Sequence, residues 1–283
     1  MSPWQYDEEQ LEEWETEMPS KIEWTDETWN PVTGCTKVSA GCKHCYAERM
    51  AKRLEGRFGY PKKNPFEVTL HPDRLDEPLR WRKPRRVFVA SMSDLFHAEI
   101  PDDFLDRVFD VMDPPDGDPP SPHVFMLLTK RPDRMRDYAW STWAKCPPKN
   151  VWLGVSVEDQ ASADERIPML LETPAAARFV SCEPLLGPVD LRNLPSGTVY
   201  NTRCMDALTA GSGSSTPWHL DWIIAGGESG PGARPAHPDW FRSVRDQCAA
   251  AGVAFFMKQM GKKVPIPEDL MIREYPLAFI GRP

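Results

Sequence analysis

Three thiols crowd one short stretch of the chain: six residues separate Cys35 from Cys42, and two separate Cys42 from Cys45. In a long chain with an odd total of seven cysteines this spacing reads as a ligand set, not as a disulfide framework. Three thiolates can hold three irons of a [4Fe-4S] cluster and leave the fourth iron open to a substrate or cofactor. The same thiols could bind zinc, with His44 or one of Cys146, Cys182, Cys204 and Cys248 as fourth ligand. His44 adjoins Cys45, so placing both on one ion demands a chain reversal. Asn30, Pro31 and Gly34 turn the chain into the loop, and Gly41 lets its backbone pass close to a bulky group. Cys45 opens a helix, where the amide dipoles favour a thiolate.

Such a loop needs a scaffold, and the rest of the chain supplies one in repeating units. Apolar, β-rich runs at 86–90, 124–128, 151–157, 178–181, 222–225 and 253–257 are continuous, as in strands buried on both faces of a parallel sheet. Helix-compatible stretches at 46–57, 101–112, 132–144, 161–171 and 238–251 separate them. The alternation predicts an α/β fold with a mostly parallel sheet, a partial or full (β/α) barrel. A doubly wound open sheet is the other arrangement such units can form. The barrel is expected over 21–265, with loop insertions at 113–122 and 195–217, an acidic N-terminal arm at 1–20 and a C-terminal extension at 266–283.

The net charge of −8 argues at first against a polyanionic partner. It is unevenly spread. Asp7, Glu8, Glu9, Glu12, Glu13, Glu15 and Glu17 all lie in the arm, which has no Lys or Arg, and without them the chain is nearly neutral. Basic side chains gather at 43–63, and again at 74–86 around Trp81, near the expected mouth of the barrel. Basic groups with an interleaved aromatic suit a phosphate backbone and a stacked or flipped base, although a solvated helix face has the same composition. No apolar run reaches the roughly 18 to 20 residues a membrane span needs. The acidic start is no signal peptide. A cytoplasmic protein without a membrane partner is expected; the oligomeric state is not readable.

The string Asn30-Pro-x-x-Gly34-Cys35, followed by Cys42-x-x-Cys45-Tyr46-Ala47-x-Arg49, resembles the cluster loop of radical S-adenosylmethionine (SAM) enzymes of the spore photoproduct lyase type. From Trp24 to about Gly261 the chain is similar to the phage-associated three-cysteine-motif proteins. The matching segments include CKHCYAERMAKR at 42–53, FVASMSDLFH at 88–97, LLTKRP at 127–132, SCEPLLGPV at 181–189 and IIAGGESGPGARP at 223–235. Radical SAM loops usually have three residues between the first two cysteines and an aromatic before the third; this chain has six, and His44.

The resemblance implies a [4Fe-4S] cluster on Cys35, Cys42 and Cys45 and reductive cleavage of SAM to a 5′-deoxyadenosyl radical that takes hydrogen from the substrate. An external electron donor, a flavodoxin or ferredoxin, is then required. In a parallel α/β fold the binding groups gather at the C-terminal strand ends. The polar groups of SAM accordingly suggest Asp94 with Ser91 or Ser93 at the amine, Lys130 or Arg131 at the carboxylate, and Glu158 at the ribose. Rim salt bridges, Lys130 with Glu158 for example, would explain the same charges. Gly226, Gly227 and Glu228 resemble the amine-binding triplet of radical SAM enzymes, and as a Gly-rich turn could equally shape the pocket floor. His44 and Tyr46 flank the third cysteine, and His44 could cover the adenine or donate a proton. Cys182 is a candidate hydrogen-atom donor or a packing cysteine, and Glu183 orients the turn or the substrate. The expected substrate is a nucleobase, in DNA or as a nucleotide, for modification or repair, including photolesion reversal. The alternative is a non-catalytic, zinc-stabilised nucleic-acid-binding module.

Overall fold

The computed structural model describes residues 22–115, 119–144, 146–195, 204–209, 218–261 and 264–276. The expected acidic arm, the middle of the 113–122 insertion and most of the 195–217 insertion lie outside the described residues.

Seven strands form one parallel sheet: β1 (Glu27–Trp29), β2 (Arg86–Val89), β3 (Val124–Thr129), β4 (Val151–Ser156), β5 (Ala177–Cys182), β6 (Trp222–Gly226) and β7 (Ala254–Gln259). Their order in space is their order in sequence. A doubly wound sheet reverses its strand order part-way, and this one never does. The sheet instead curls into a half-barrel, the partial (β/α) barrel. Helix α1 (Tyr46–Arg53) lies between β1 and β2, α2 (Asp102–Met112) between β2 and β3, and α3 (Pro132–Trp143) between β3 and β4. Helix α4 (Gln160–Glu172) joins β4 to β5, and α5 (Pro238–Ala251) joins β6 to β7. Among the described residues the β5–β6 connection has no helix, only a two-residue ribbon pairing Leu194 with Met205 and Pro195 with Cys204.

Alternation along each strand divides the core in two. On β4, Val151, Leu153 and Val155 face the helices, packed with Leu105, Met135 and Ile167. Trp152 faces the concave side, where it meets Met126, Phe179, Trp222 and Phe256. Gly154, next on that side, leaves room for Phe179: a Cβ there would lie 2.6 Å from its ring. The aromatic plug fills the N-terminal end of the half-barrel. Residues 271–275 close it further, running against the β7 edge, where Met257 donates its amide to Ile272 and Glu274 donates its own to Phe255. The Tyr275 ring packs at a tilt against Trp222, 5.4 Å between centroids. Apolar packing ends about half-way up, and above it Ser156, Glu158, Ser181 and Glu183 face the C-terminal mouth. No helix among the described residues is long and apolar enough to cross a membrane.

Candidate functional site

The cysteine loop leaves β1 at this mouth. Asn30 Oδ1 accepts the Met92 amide at 2.9 Å and the Ser91 hydroxyl at 3.1 Å, joining the end of β1 to that of β2. Ser93 donates to the Val32 carbonyl at 2.9 Å, and the Gly34 amide to Met92 at 3.0 Å. Gly34 has a φ of 85°, and a Cβ there would run into the Glu67 carbonyl. This turn therefore needs glycine for both conformation and space. Past the loop, α1 is seated by Ala47 and Ala51 on a small core with Tyr60 and Met92.

Three acid–arginine pairs then pin the loop to the strand ends. Asp94 is buried and accepts from the Thr129 hydroxyl, the Phe96 and Lys130 amides and Arg131. Arg131 reaches on to the Thr36 carbonyl at 3.1 Å, the Thr36 hydroxyl at 2.9 Å and the Cys35 sulfur at 3.5 Å. Glu158, also buried, accepts from Arg166 at 3.0 Å and from Ser39 of the loop at 2.7 Å. Gly41 lies against that carboxylate, where a Cβ would come within 2.4 Å of Oε1. Glu228 is clamped by Arg234, which also donates to the Ala40 carbonyl at 3.0 Å. Burial opposes ionisation of Glu228, but the Arg234 bonds outweigh it and hold its pKa below the usual carboxylate value.

The residues suggested as SAM ligands already have partners within the protein. Ser91 and Ser93 bond loop backbone or Asn30, and Asp94 pairs with Arg131 while each holds further partners. Glu158 holds an arginine and Ser39 of the cysteine loop, and Glu228 holds Arg234, which bonds the loop in turn. Lys130 stands 3.9 Å from Glu158, the ion pair foreseen as the plainer reading of both charges. Gly227 has no room for a side chain, since a Cβ would lie 1.9 Å from the Met260 carbonyl, and Gly226 packs on Glu183. His44 lies beside Gly232 and near enough to Glu228 to favour its charge. Cys182 faces the helices with Cys248, fully buried, and burial pushes its pKa up to about 12. It belongs to the packing core, on the opposite face of β5 from Ser181 and Glu183. The basic stretch 74–86 starts at the mouth, where Arg74 bonds the Asn30 carbonyl at 3.3 Å, and ends at the N-terminal end of β2, where Arg86 pairs with Asp26 at 2.7 Å.

All seven thiols are unpaired, and those of the loop are partly exposed. Each is met by hydrogen-bonding groups. Cys35 accepts from Arg131, and Cys45 caps α1 by accepting the Glu48 amide at 3.5 Å. Burial disfavours the Cys42 thiolate, yet backbone bonds at Val38 and Ser39, the Lys130 charge and the Ser39 hydroxyl together lower its pKa below that of a free thiol. Burial and the Asp94 charge raise that of Cys35 against Arg131. Among the described residues no three Cys, His, Asp or Glu side chains are gathered for a single metal ion. A cluster takes one thiolate per iron, with N–H donors around the sulfurs; the loop carries three thiols, two of which accept an N–H.

The family model described as "Protein of unknown function (DUF5131)" matches residues 19–273. The chain belongs to the DUF5131 family. The match takes in the cysteine loop, all seven strands and all three clamps. Searches of curated proteins and of solved structures return no match. Outside the clamps, at the mouth of this DUF5131 protein, Lys258 donates to both oxygens of Glu183 at 2.8 and 2.9 Å, and Gln259 adds a third bond at 3.2 Å. Both members of the ion pair are partly exposed.

Ser39, Thr36, Arg166 and Arg234 escaped the reading of strand ends, because none lies at a strand end: the first two and Arg234 reach groups distant in sequence, and Arg166 turns back from within α4 to Glu158. His97, whose ring bonds Thr36 at 2.8 Å, escaped it for the same reason.

Proposed function

We propose that this protein is a radical SAM-type enzyme in which Cys35, Cys42 and Cys45 hold a [4Fe-4S] cluster and SAM occupies the iron they leave free. One observation carries the reading: the three-thiol loop follows the first strand of a parallel half-barrel and is held over its C-terminal mouth by three acid–arginine clamps. A loop with only a structural role on a stable barrel has no need of three buried or half-buried charge pairs, each costly to desolvate. Bound there, the two groups supply one-electron cleavage of SAM and hydrogen abstraction from a substrate carbon.

The protein's share is positional. Asp94, Glu158 and Glu228 fix the loop, and Arg131 supplies an N–H to Cys35. The aromatic plug of Trp152, Phe179, Trp222 and Phe256 keeps water out from below. Glu183, Lys258 and Gln259 form the polar group left to orient substrate. Lys43, Arg53 and Arg57, none of them paired with a carboxylate among the described residues, favour a nucleobase in nucleic acid or a nucleotide as that substrate, and a flavodoxin or ferredoxin as electron donor follows from the chemistry.

Anaerobic purification tests the cofactor. A brown protein with iron and sulfide at cluster stoichiometry, lost when Cys35, Cys42 and Cys45 are changed to Ala, is expected. Colourless protein carrying one zinc after anaerobic reconstitution would overturn the reading.

A further inference from the structure

Helix α1 and the turn after it hold two aromatic rings in water: Tyr46 is 52% exposed and Phe58 73%. Phe58 also has a φ of 51°, in the left-handed region that bulky side chains avoid, between Gly56 and Gly59 at 69° and 78°. The turn is well tied. Gly56 donates its amide to Tyr60 and Tyr60 to Arg57, both at 3.0 Å, while Arg74 holds the Phe58 carbonyl and Tyr60 is buried. A strained backbone anchored on all sides and carrying an exposed ring has no packing purpose, and such outliers gather at binding sites.

The surroundings are cationic. Lys43, Arg53, Arg57, Lys62 and Lys63 are exposed, and among the described residues none is paired with a carboxylate. Glu48, the acid of α1, is taken up by Lys37 and Lys52. Between α1 and residues 229–231 lies a cleft of about 260 Å³, with Tyr46, Met50 and Pro231 in its walls and Arg49 and Arg53 beside them. It is a little smaller than the roughly 300 Å³ at which small-ligand pockets begin, a size for one ring system.

We infer that this face is the docking track of a single-stranded nucleic acid. Phosphates run along Arg53, Arg57, Lys62 and Lys63, one unstacked base enters the cleft against Tyr46, and Phe58 stacks on a neighbouring base. Exposed rings need open base faces, which a duplex hides and a single strand offers. The track leads to Cys45 and so to the proposed chemistry; the inference rests on the nucleobase reading of the substrate.

Fluorescence anisotropy at fixed salt tests it on the full chain, using labelled single-stranded DNA, single-stranded RNA and the matching DNA duplex. One single strand or both should bind more tightly than the duplex. Phe58→Ala, which keeps the Cβ and the turn's hydrogen bonds and removes only the exposed ring, should weaken binding at least fivefold. Phe58→Leu, apolar but without a π-face, should weaken it as well. Lys62→Ala with Lys63→Ala should flatten the plot of log affinity against log salt by about 1.4. Duplex preference, no binding at micromolar protein, or equal affinity in wild type and Phe58→Ala would overturn the inference. Binding needs no cluster. Strand binding by a protein that fails to cleave SAM would therefore sink only the radical reading, and SAM cleavage without Phe58-dependent binding would sink only this one.

Discussion

Arg131 touches the Cys35 sulfur with the same nitrogen that it gives to Asp94, at 3.5 Å to sulfur and 2.9 Å to the carboxylate. A strand-end acid is thus joined through one guanidinium to the first thiol of the loop. Arg131→Met should leave Asp94 buried and unpaired and cost about 3 kcal/mol, the loss typical of breaking a buried pair from one side. Urea unfolding measures that loss. Iron content should fall with it, because Thr36 loses two of its anchors, and Arg131→Lys should restore stability only in part since one ammonium cannot span both sites.

Gly41 and Glu158 are in contact, so enlarging one should displace the other. Gly41→Ala forces a Cβ against the Glu158 carboxylate and should cost about 1 to 3 kcal/mol, as overpacking does. Glu158→Gln strands the buried Arg166 and should destabilise by a similar or larger amount. If Glu158 were a ribose ligand, Glu158→Gln would raise KM for SAM and leave the unfolding midpoint in place.

His71 donates a pH dependence to the fold. It is buried beneath the loop and bonded to Thr33 at 2.8 Å. Burial first, and Arg74 second, lower its pKa from 6.5 to about 4. The unfolded chain takes up this proton near pH 6.5 and the folded chain only near 4. Protonation therefore favours unfolding: stability is complete above about pH 6.5 and falls by up to roughly 3 kcal/mol on descent to pH 4. His97 and His123 are shifted in the same direction by burial. Unfolding midpoints at pH 7 and pH 5 should differ, and His71→Asn should narrow the gap.

Cys182 sits among apolar side chains behind β5. Cys182→Ala should cost about 1 kcal/mol in stability, with SAM cleavage and substrate turnover unchanged. Turnover abolished in a stable, cluster-loaded Cys182→Ala protein would restore the hydrogen-donor role.

Six of the seven strands were legible because each carries a continuous apolar run at its middle, where the sheet is buried or nearly so on both faces. The exception, β1, is three residues long and reads Glu-Thr-Trp, too short and too polar for any pattern to declare itself. The helices were legible to within a few residues, except that α1 ends at Arg53, where Gly56, Phe58 and Gly59 turn the chain left-handed. The thiol spacing and the polar strand ends were plain in the sequence, but not the partners of those polar groups. Asp94 finds Arg131 on the next strand–helix turn, Glu158 finds Arg166 two turns into α4, and Glu228 finds Arg234 across a glycine loop. Acids waiting for a ligand and acids already holding an arginine look alike until the chain is folded.

The most direct measurement is release of 5′-deoxyadenosine when anaerobically reconstituted protein is given SAM and dithionite. The account predicts 5′-deoxyadenosine and methionine in equal amounts from the wild type and neither from Cys42→Ala. A cluster-loaded wild type that leaves SAM intact, or a protein whose thiols take up zinc and no iron, would contradict it.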